Sequence, residues 1–181
     1  AVAKMVVSDG MYYFKIDYYL PESALIERAE RETYRYWQRM GLLHVTPGNV
    51  TDYDYITNEL MALGNALSIA EIGYDKWNAV QWAIDATEKG LPLKEYSQAI
   101  GNFNKPTREL ERLILSGRVI LDDNEITRFC FRNVQLKYDH NGNCKPNKGL
   151  EKKKIDGVIA AIQALGVYLE TPHYANEIYT T

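Results

Sequence analysis

Two aspartates stand where a polypeptide can do metal chemistry. Asp75, in the run EIGYDKW, follows an apolar stretch over 68–74 that reads as a buried strand. In open α/β sheets, ligand sites form at the carboxyl ends of strands. A carboxylate there can hold a hard cation such as Mg²⁺ or Mn²⁺. Position alone fits a second reading equally: an ordinary loop acid, or the N-cap of a helix over 77–89. Asp156, in KKKIDGVIAAIQAL, falls in the first turn of a strongly apolar helix. An acid there complements the helix macrodipole without further purpose. Its neighbours Ile155 and Val158 predict a covered face, however, and a covered carboxylate needs a partner or a metal. Lys152, Lys153 and Lys154 precede it, a basic lip suited to metal-assisted attack on a phosphodiester. The third feature is the turn DHNGN at 139–143, with Arg132, Lys137, Lys145 and Lys148 around it. A cationic hairpin can lie along a nucleic-acid backbone, or it can be a solvated surface element.

Other chemistries lack their residues. There is no GxxxxGK[ST] loop for an ATPase, no GxSxG and no HExxH. His44, His140 and His173 are too far apart to form a ligand pair by spacing, and His44, beside an apolar strand, reads as structural. Cys130 and Cys144 have no CxxC spacing, which predicts reduced thiols rather than a disulfide framework or zinc site.

The elements that must position these residues alternate in type. Residues 2–8 and 11–19 read as two strands joined through Asp9-Gly10, a strong hairpin signal. Pro21 opens a helix over 22–40 that Gly41 stops. A short strand over 42–46 leads to a turn at Pro47-Gly48-Asn49. Asp52 caps a helix whose stripe includes Ile56, Leu60, Leu63 and Leu67. The strand over 68–74, the helix over 77–89 and a strand over 91–96 come next. Gly101 to Lys105 reads as a polar loop, with Thr107 capping a helix over 108–116. Residues 126–138 read as a helical turn and then a strand, with 132–138 and 144–146 paired across the DHNGN turn. Residues 155–169 form the apolar helix. Strands alternating with helices, opened by a hairpin, indicate an α/β domain with a mixed sheet.

The chain has 181 residues, 46% hydrophobic and 25% charged. That fits one globular domain with a real core. No apolar run approaches the ~18 residues of a membrane span, and no basic-then-apolar segment opens the chain, so a cytosolic setting is expected. The net charge of −3 is segregated. Residues 1–100 carry 9 Lys and Arg against 14 Asp and Glu; residues 101–154 carry 12 against 7; residues 155–181 carry 0 against 3. The basic middle-to-late segment is what a phosphate backbone would need.

The run LKYDHNGNCKPNKGLEKKKIDGVIAAIQALG resembles the end of the nuclease domain of tailed-phage terminase large subunits. Three further blocks agree in order: TPGNVTDYDYI at 46–56, IGYDKWNA at 72–79 and KPTRELERLILSGRV at 105–119. The resemblance implies a ribonuclease H-like fold, a mixed β-sheet flanked by helices, with an extra hairpin near the C-terminal part. It implies a domain over 1–170 and a tail over 171–181. The implied activity is a Mg²⁺- or Mn²⁺-dependent endodeoxyribonuclease that cuts concatemeric double-stranded DNA during packaging, with two ions about 3.5–4 Å apart. By the same resemblance Asp75 matches the family's second acid and Asp156 its last, both as metal ligands. The implied partners are DNA, the portal protein, the small terminase subunit and the ATPase domain of the same protein, in the cytoplasm of an infected or lysogenic bacterium.

The family's first-strand acid lies in an Asp-Leu-Ser type segment that would fall upstream of Ala1, and neither Asp9 nor Asp17 replaces it. The first strand is therefore expected to be truncated, the ATPase motor absent and one metal ligand missing. Two alternatives stand beside this reading: a module that binds DNA or portal without cutting, or another ribonuclease H-like nuclease such as a resolvase.

Overall fold

A computed structural model describes residues 1–75, 77, 79–149 and 153–171. Strands β1 (Val2–Ser8) and β2 (Met11–Asp17) form the expected hairpin, in register from Ser8↔Met11 to Val2↔Asp17. Asp9 (φ 50°) and Gly10 (φ 74°) both take the left-handed region that a two-residue turn of this hand requires. One face, with Ala3, Met5, Val7, Tyr12, Phe14 and Ile16, packs into the main core. The parallel pairs are β3 (Tyr19–Pro21) with β4 (His44–Thr46) and β5 (Ile72–Tyr74) with β6 (Leu93–Glu95). A further strand, β7 (Val119–Leu121), joins β2 in parallel. Its three residues, squeezed between Gly117 and Asp122, are too few to display an alternation in sequence. The architecture is α/β with mixed strand directions and no closed barrel.

The expected helix over 22–40 divides into α1 (Ala24–Glu27) and α2 (Arg31–Arg39). Arg28 turns extended (ψ 150°), and the ERAERE run between the two offers only Ala29 to a core. Helix α3 (Tyr53–Ala66) is capped by Asp52, whose carboxylate accepts from the Asp54 and Tyr55 amides. Helix α4 (Val80–Glu88) is shorter than the expected 77–89, and β5 is shorter than 68–74.

The largest correction falls at 101–105. Helix α5 (Ile100–Leu115) runs through this stretch and through Pro106, so Thr107 is a buried mid-helix residue rather than a cap. Pro106 has no N–H for the Asn102 carbonyl. The Tyr96 hydroxyl donates to that carbonyl instead, at 3.1 Å. Asn104, which looked like loop polarity, accepts from Arg108 Nε and from the Cys144 amide.

Helix α6 (Glu125–Asn133) is capped by Asn124. Strands β8 (Gln135–Tyr138) and β9 (Cys144–Asn147) make the expected antiparallel hairpin, which α5 holds through Arg108 Nη2 to the Gly142 carbonyl at 2.7 Å. Helix α7 (Asp156–Glu170) is the hub. Ala161 and Leu165 are fully buried and Val158, Ile162 and Val167 nearly so. Each larger aliphatic side chain here contributes about 1.5–3 kcal/mol. No described helix is long and apolar enough to cross a membrane. The expected tail, beyond Thr171, lies outside the described residues.

Candidate functional site

Asp75 stands directly after β5. Strand β5 rests on α7 at Gly73, where a Cβ would meet Val167 at 2.5 Å. This close approach sets the height of Asp75 relative to α7. The Asp75 carboxylate is half-buried, and its Oδ1 is fully buried with no hydrogen-bond partner among the described residues. A buried, unpartnered carboxylate oxygen is costly, about 1–3 kcal/mol, and calls for an explanation such as an ion.

Asp156 opens α7. The residues around it are buried (Ile155, Gly157, Val158) while Asp156 itself is exposed. This corrects the expectation of a covered carboxylate: the cover belongs to its neighbours, and Asp156 needs no partner on grounds of burial. Its backbone is held tightly. The Tyr18 hydroxyl lies where a Cβ on Gly157 would be met at 2.1 Å, so only glycine fits. That hydroxyl donates to Thr127 Oγ1 at 3.1 Å, and Thr127 donates to Asp122 Oδ1 at 3.0 Å. Asp122 Oδ2 in turn accepts from the Ile16 amide. This chain ties α7's first turn to α6 and β2. Burial pushes the Tyr18 hydroxyl's pKa up, and burial likewise raises that of the Cys130 thiol, which accepts from the Gly157 amide.

The two acids open on adjoining cavities. Asp75 lines a cleft of about 1040 Å³, and Asp156 lines a smaller cavity of about 240 Å³ with Tyr18, Arg28, Tyr34, Cys130 and Lys154. Ala1 and Tyr19 line both. Among the described residues no group of three or more His, Cys, Asp or Glu is placed to hold a metal ion. The donor chemistry of Asp75 and Asp156 fits a hard divalent cation.

The cations sort by element. Lys137 and Lys145 are direct cross-strand partners on the β8–β9 hairpin. Lys137 is exposed, whereas Lys145 is half-buried and its Nζ donates to the Gln98 carbonyl at 3.4 Å. Arg132 is exposed in the last turn of α6, Lys148 is exposed just past β9, and Lys153 and Lys154 are exposed just before α7. Lys152 lies outside the described residues.

One cluster was not legible in the sequence. Asp17 is buried and paired with Lys4. His44 sits between Asp17 (4.0 Å) and Glu59 (3.7 Å) and stacks on Tyr19, whose hydroxyl donates to Glu59 at 2.6 Å. Only the β3–β4 register, Tyr19↔His44, brings these residues together. Strand alternation, which turns Asp17 away from the Ile16 face, was the one available signal.

Residues 1–171 match the model of the terminase large subunit endonuclease domain. The chain belongs to this family. The large terminase subunit of Enterobacteria phage HK97 is 30% identical over 162 residues, spanning 87% of this chain and 32% of that protein. Protein YmfN of Escherichia coli (strain K12) is 34% identical over 142 residues, 77% of this chain and 31% of YmfN. The chain thus spans about a third of the length of these relatives. The crystal structure of the HK97 large terminase superposes with a TM-score of 0.80 at 29% identity, over 89% of this chain and 34% of that one. A large terminase nuclease from thermophilic phage G20c, solved with bound magnesium, shares the fold at a TM-score of 0.51 and 18% identity, over 65% of this chain and 62% of that one. The terminase nuclease fold is therefore the ribonuclease H-like α/β arrangement described above.

Proposed function

We propose that this terminase nuclease domain hydrolyses phosphodiester bonds of concatemeric double-stranded DNA, using divalent metal ions held by Asp75 and Asp156. The observation that carries the reading is the buried Asp75 oxygen, without a partner among the described residues, at the carboxyl end of β5. The G20c relative's bound magnesium supports the choice of ion. Two such ions, when bound, supply an activated water and a stabilised leaving oxygen. Asp75 contributes a ligand already desolvated on one oxygen. Asp156 contributes one whose backbone Tyr18 and Gly157 hold in place.

Lys153 and Lys154 neutralise phosphate next to Asp156. The hairpin tracks the backbone further along, with Arg132 and Lys148 as additional phosphate contacts. Two like charges directly opposite on a hairpin destabilise it by a fraction of a kcal/mol, and a phosphate between Lys137 and Lys145 would relieve that. The portal protein, the small terminase subunit and the ATPase segment of the full-length protein are the proposed partners, in the cytoplasm of the bacterial host.

The test is plasmid cleavage with Mg²⁺ or Mn²⁺ by the full-length protein that carries this domain. Asp75→Ala and Asp156→Ala are expected to abolish cutting while leaving DNA binding intact. Unchanged cutting in both variants would sink the proposal. The alternative, DNA or portal binding without cutting, is favoured because no three His, Cys, Asp or Glu side chains among the described residues are grouped to hold a metal ion. It predicts a wild-type protein that binds DNA with a steep salt dependence and never nicks it.

A further inference from the structure

Ile155, the N-cap of α7, has no side-chain oxygen to offer the first amides of the helix. The Val158 amide turns back to the Ile155 carbonyl at 3.0 Å. The Gly157 amide donates to the Cys130 sulfur, which comes from α6. A thiol from a different helix thus stands where a Ser or Asp side chain would ordinarily cap. The amide it holds is the one next to Asp156.

Cys130 acts with its neighbours. Thr127, three residues earlier, shares its face of α6, and the two are buried to 1% and 0% exposure. The Tyr18 hydroxyl reaches both: it donates to Thr127 Oγ1 and lies within hydrogen-bonding reach of the Cys130 sulfur. Thr127 in turn donates to Asp122, an ionised carboxylate that can only accept. That fixes the direction of the whole series. The single Tyr18 proton is committed to Thr127, so the Tyr18 oxygen faces the thiol as an acceptor. Gly157 N–H, Cys130 S–H, Tyr18 O–H and Thr127 O–H each donate to the next group and end on Asp122. Such directed chains polarise one another when buried. The Asp156 side chain is exposed, so its aim is set through the backbone that carries it.

We propose that Thr127 and Cys130 are positioning residues for Asp156: the series anchored on Asp122 fixes the first turn of α7, and with it the direction from which the Asp156 carboxylate meets a divalent cation. The role rests on the nuclease reading of Asp156. Groups that orient a metal ligand from behind are worth about 10–100-fold in metal affinity or activity.

The test uses the full-length protein that carries this domain, with Mn²⁺ alone as the probe. Thermal shift gives the Mn²⁺ concentration for half-maximal stabilisation, and hydrogen exchange follows the Gly157 amide in metal-free protein. Thr127→Val and Tyr18→Phe each interrupt the series and should raise the half-saturating Mn²⁺ concentration about tenfold or more. Thr127→Ser keeps the hydroxyl and should bind Mn²⁺ as the unsubstituted protein does. Cys130→Ala should speed Gly157 exchange about tenfold, whereas Cys130→Ser, which retains an acceptor, should change it far less. A lower melting temperature with unchanged Mn²⁺ half-saturation in Thr127→Val and Tyr18→Phe would overturn the proposal, because the series would then serve the fold alone. A Thr127→Ser variant as weak as Thr127→Val, or equal Gly157 exchange in the two Cys130 variants, would overturn it too. Should Thr127→Val fail to fold, Tyr18→Phe decides the matter by itself. Asp156→Ala separates the two levels. If it leaves Mn²⁺ stabilisation intact, the metal reading fails and this role falls with it. If it abolishes the effect while Thr127→Val and Tyr18→Phe bind Mn²⁺ normally, only the positioning role fails.

Discussion

Tyr74-Asp75 and Tyr138-Asp139 place the same dipeptide at the end of a strand, with opposite outcomes. Asp139 is fully engaged: it accepts from the amides of Asn141 (2.9 Å) and Asn143 (2.8 Å) and from the Asn143 side chain (2.9 Å). The Asn143 side chain, helped by these amides, holds its carboxyl below the usual carboxylate range. Asp75 keeps a buried oxygen with no partner among the described residues. The fold consumes the charge of Asp139 to build a turn and leaves that of Asp75 available. The surroundings of each acid make the difference: Asn and Gly form a tight turn after Asp139, whereas a cleft wall stands beside Asp75.

The largest expected effect separates the two acids by activity. Asp75→Ala should reduce metal-dependent plasmid cleavage by the full-length protein by at least about 100-fold. Asp139→Ala should leave it nearly unchanged, because that carboxylate is occupied with its own turn. Equal losses would erase the distinction.

Packing comes next. Gly157→Ala drives a Cβ into the Tyr18 hydroxyl and should destabilise the domain by about 1–3 kcal/mol in urea unfolding. Tyr18→Phe in the same background should not restore it, because the ring carbons also crowd that position. Full stability of Gly157→Ala would mean that α7's first turn is not fixed by this contact, and Asp156 would lose its rigid mounting.

A smaller effect has the opposite sign. Asp75→Asn in metal-free protein should raise stability by about 1 kcal/mol, because it removes the charge from a half-buried carboxylate whose buried oxygen has no partner among the described residues. A thermal shift should also show that Mg²⁺ or Mn²⁺ stabilises the unsubstituted protein more than this variant. A lower melting point for the metal-free variant would show that the carboxylate has a structural partner after all.

The smallest effect is the pH response of the hairpin. The folded Asp139 carboxyl titrates below its unfolded counterpart. Its contribution is therefore complete above the ordinary carboxylate range and is lost as pH falls through the folded value. The Asn141 and Asn143 amide shifts should move only in that acid window, and a transition at or above the ordinary aspartate value would contradict the network.

Much of the local structure was readable because single residues carry it. Asp9-Gly10 demands a tight hairpin, Asp52 supplies a side-chain cap, and the run from Ile155 to Leu169 can only be a buried helix. The misreading at 101–105 has a physical origin. Gly, Asn and an approaching Pro are loop signals in isolation, and the partners that make them helical, Tyr96 and Cys144, arrive from elsewhere in the chain. The three-residue strands β3, β4 and β7 exist because neighbours pair with them, and their own composition is too short to show a period.

The sequence by itself determined where the two acids stand along the chain, the cationic hairpin near the end and the family these blocks belong to. These depend on residue identity and spacing, which local rules can read. Only the tertiary structure decided that Asp75 keeps an oxygen unpartnered among the described residues, that Asp156 stays exposed while its neighbours are buried, and that β1 and β5 line one cleft. Those properties depend on what lies across space from each group: desolvation, hydrogen-bond supply and strand pairing are set by distant residues that no local window contains.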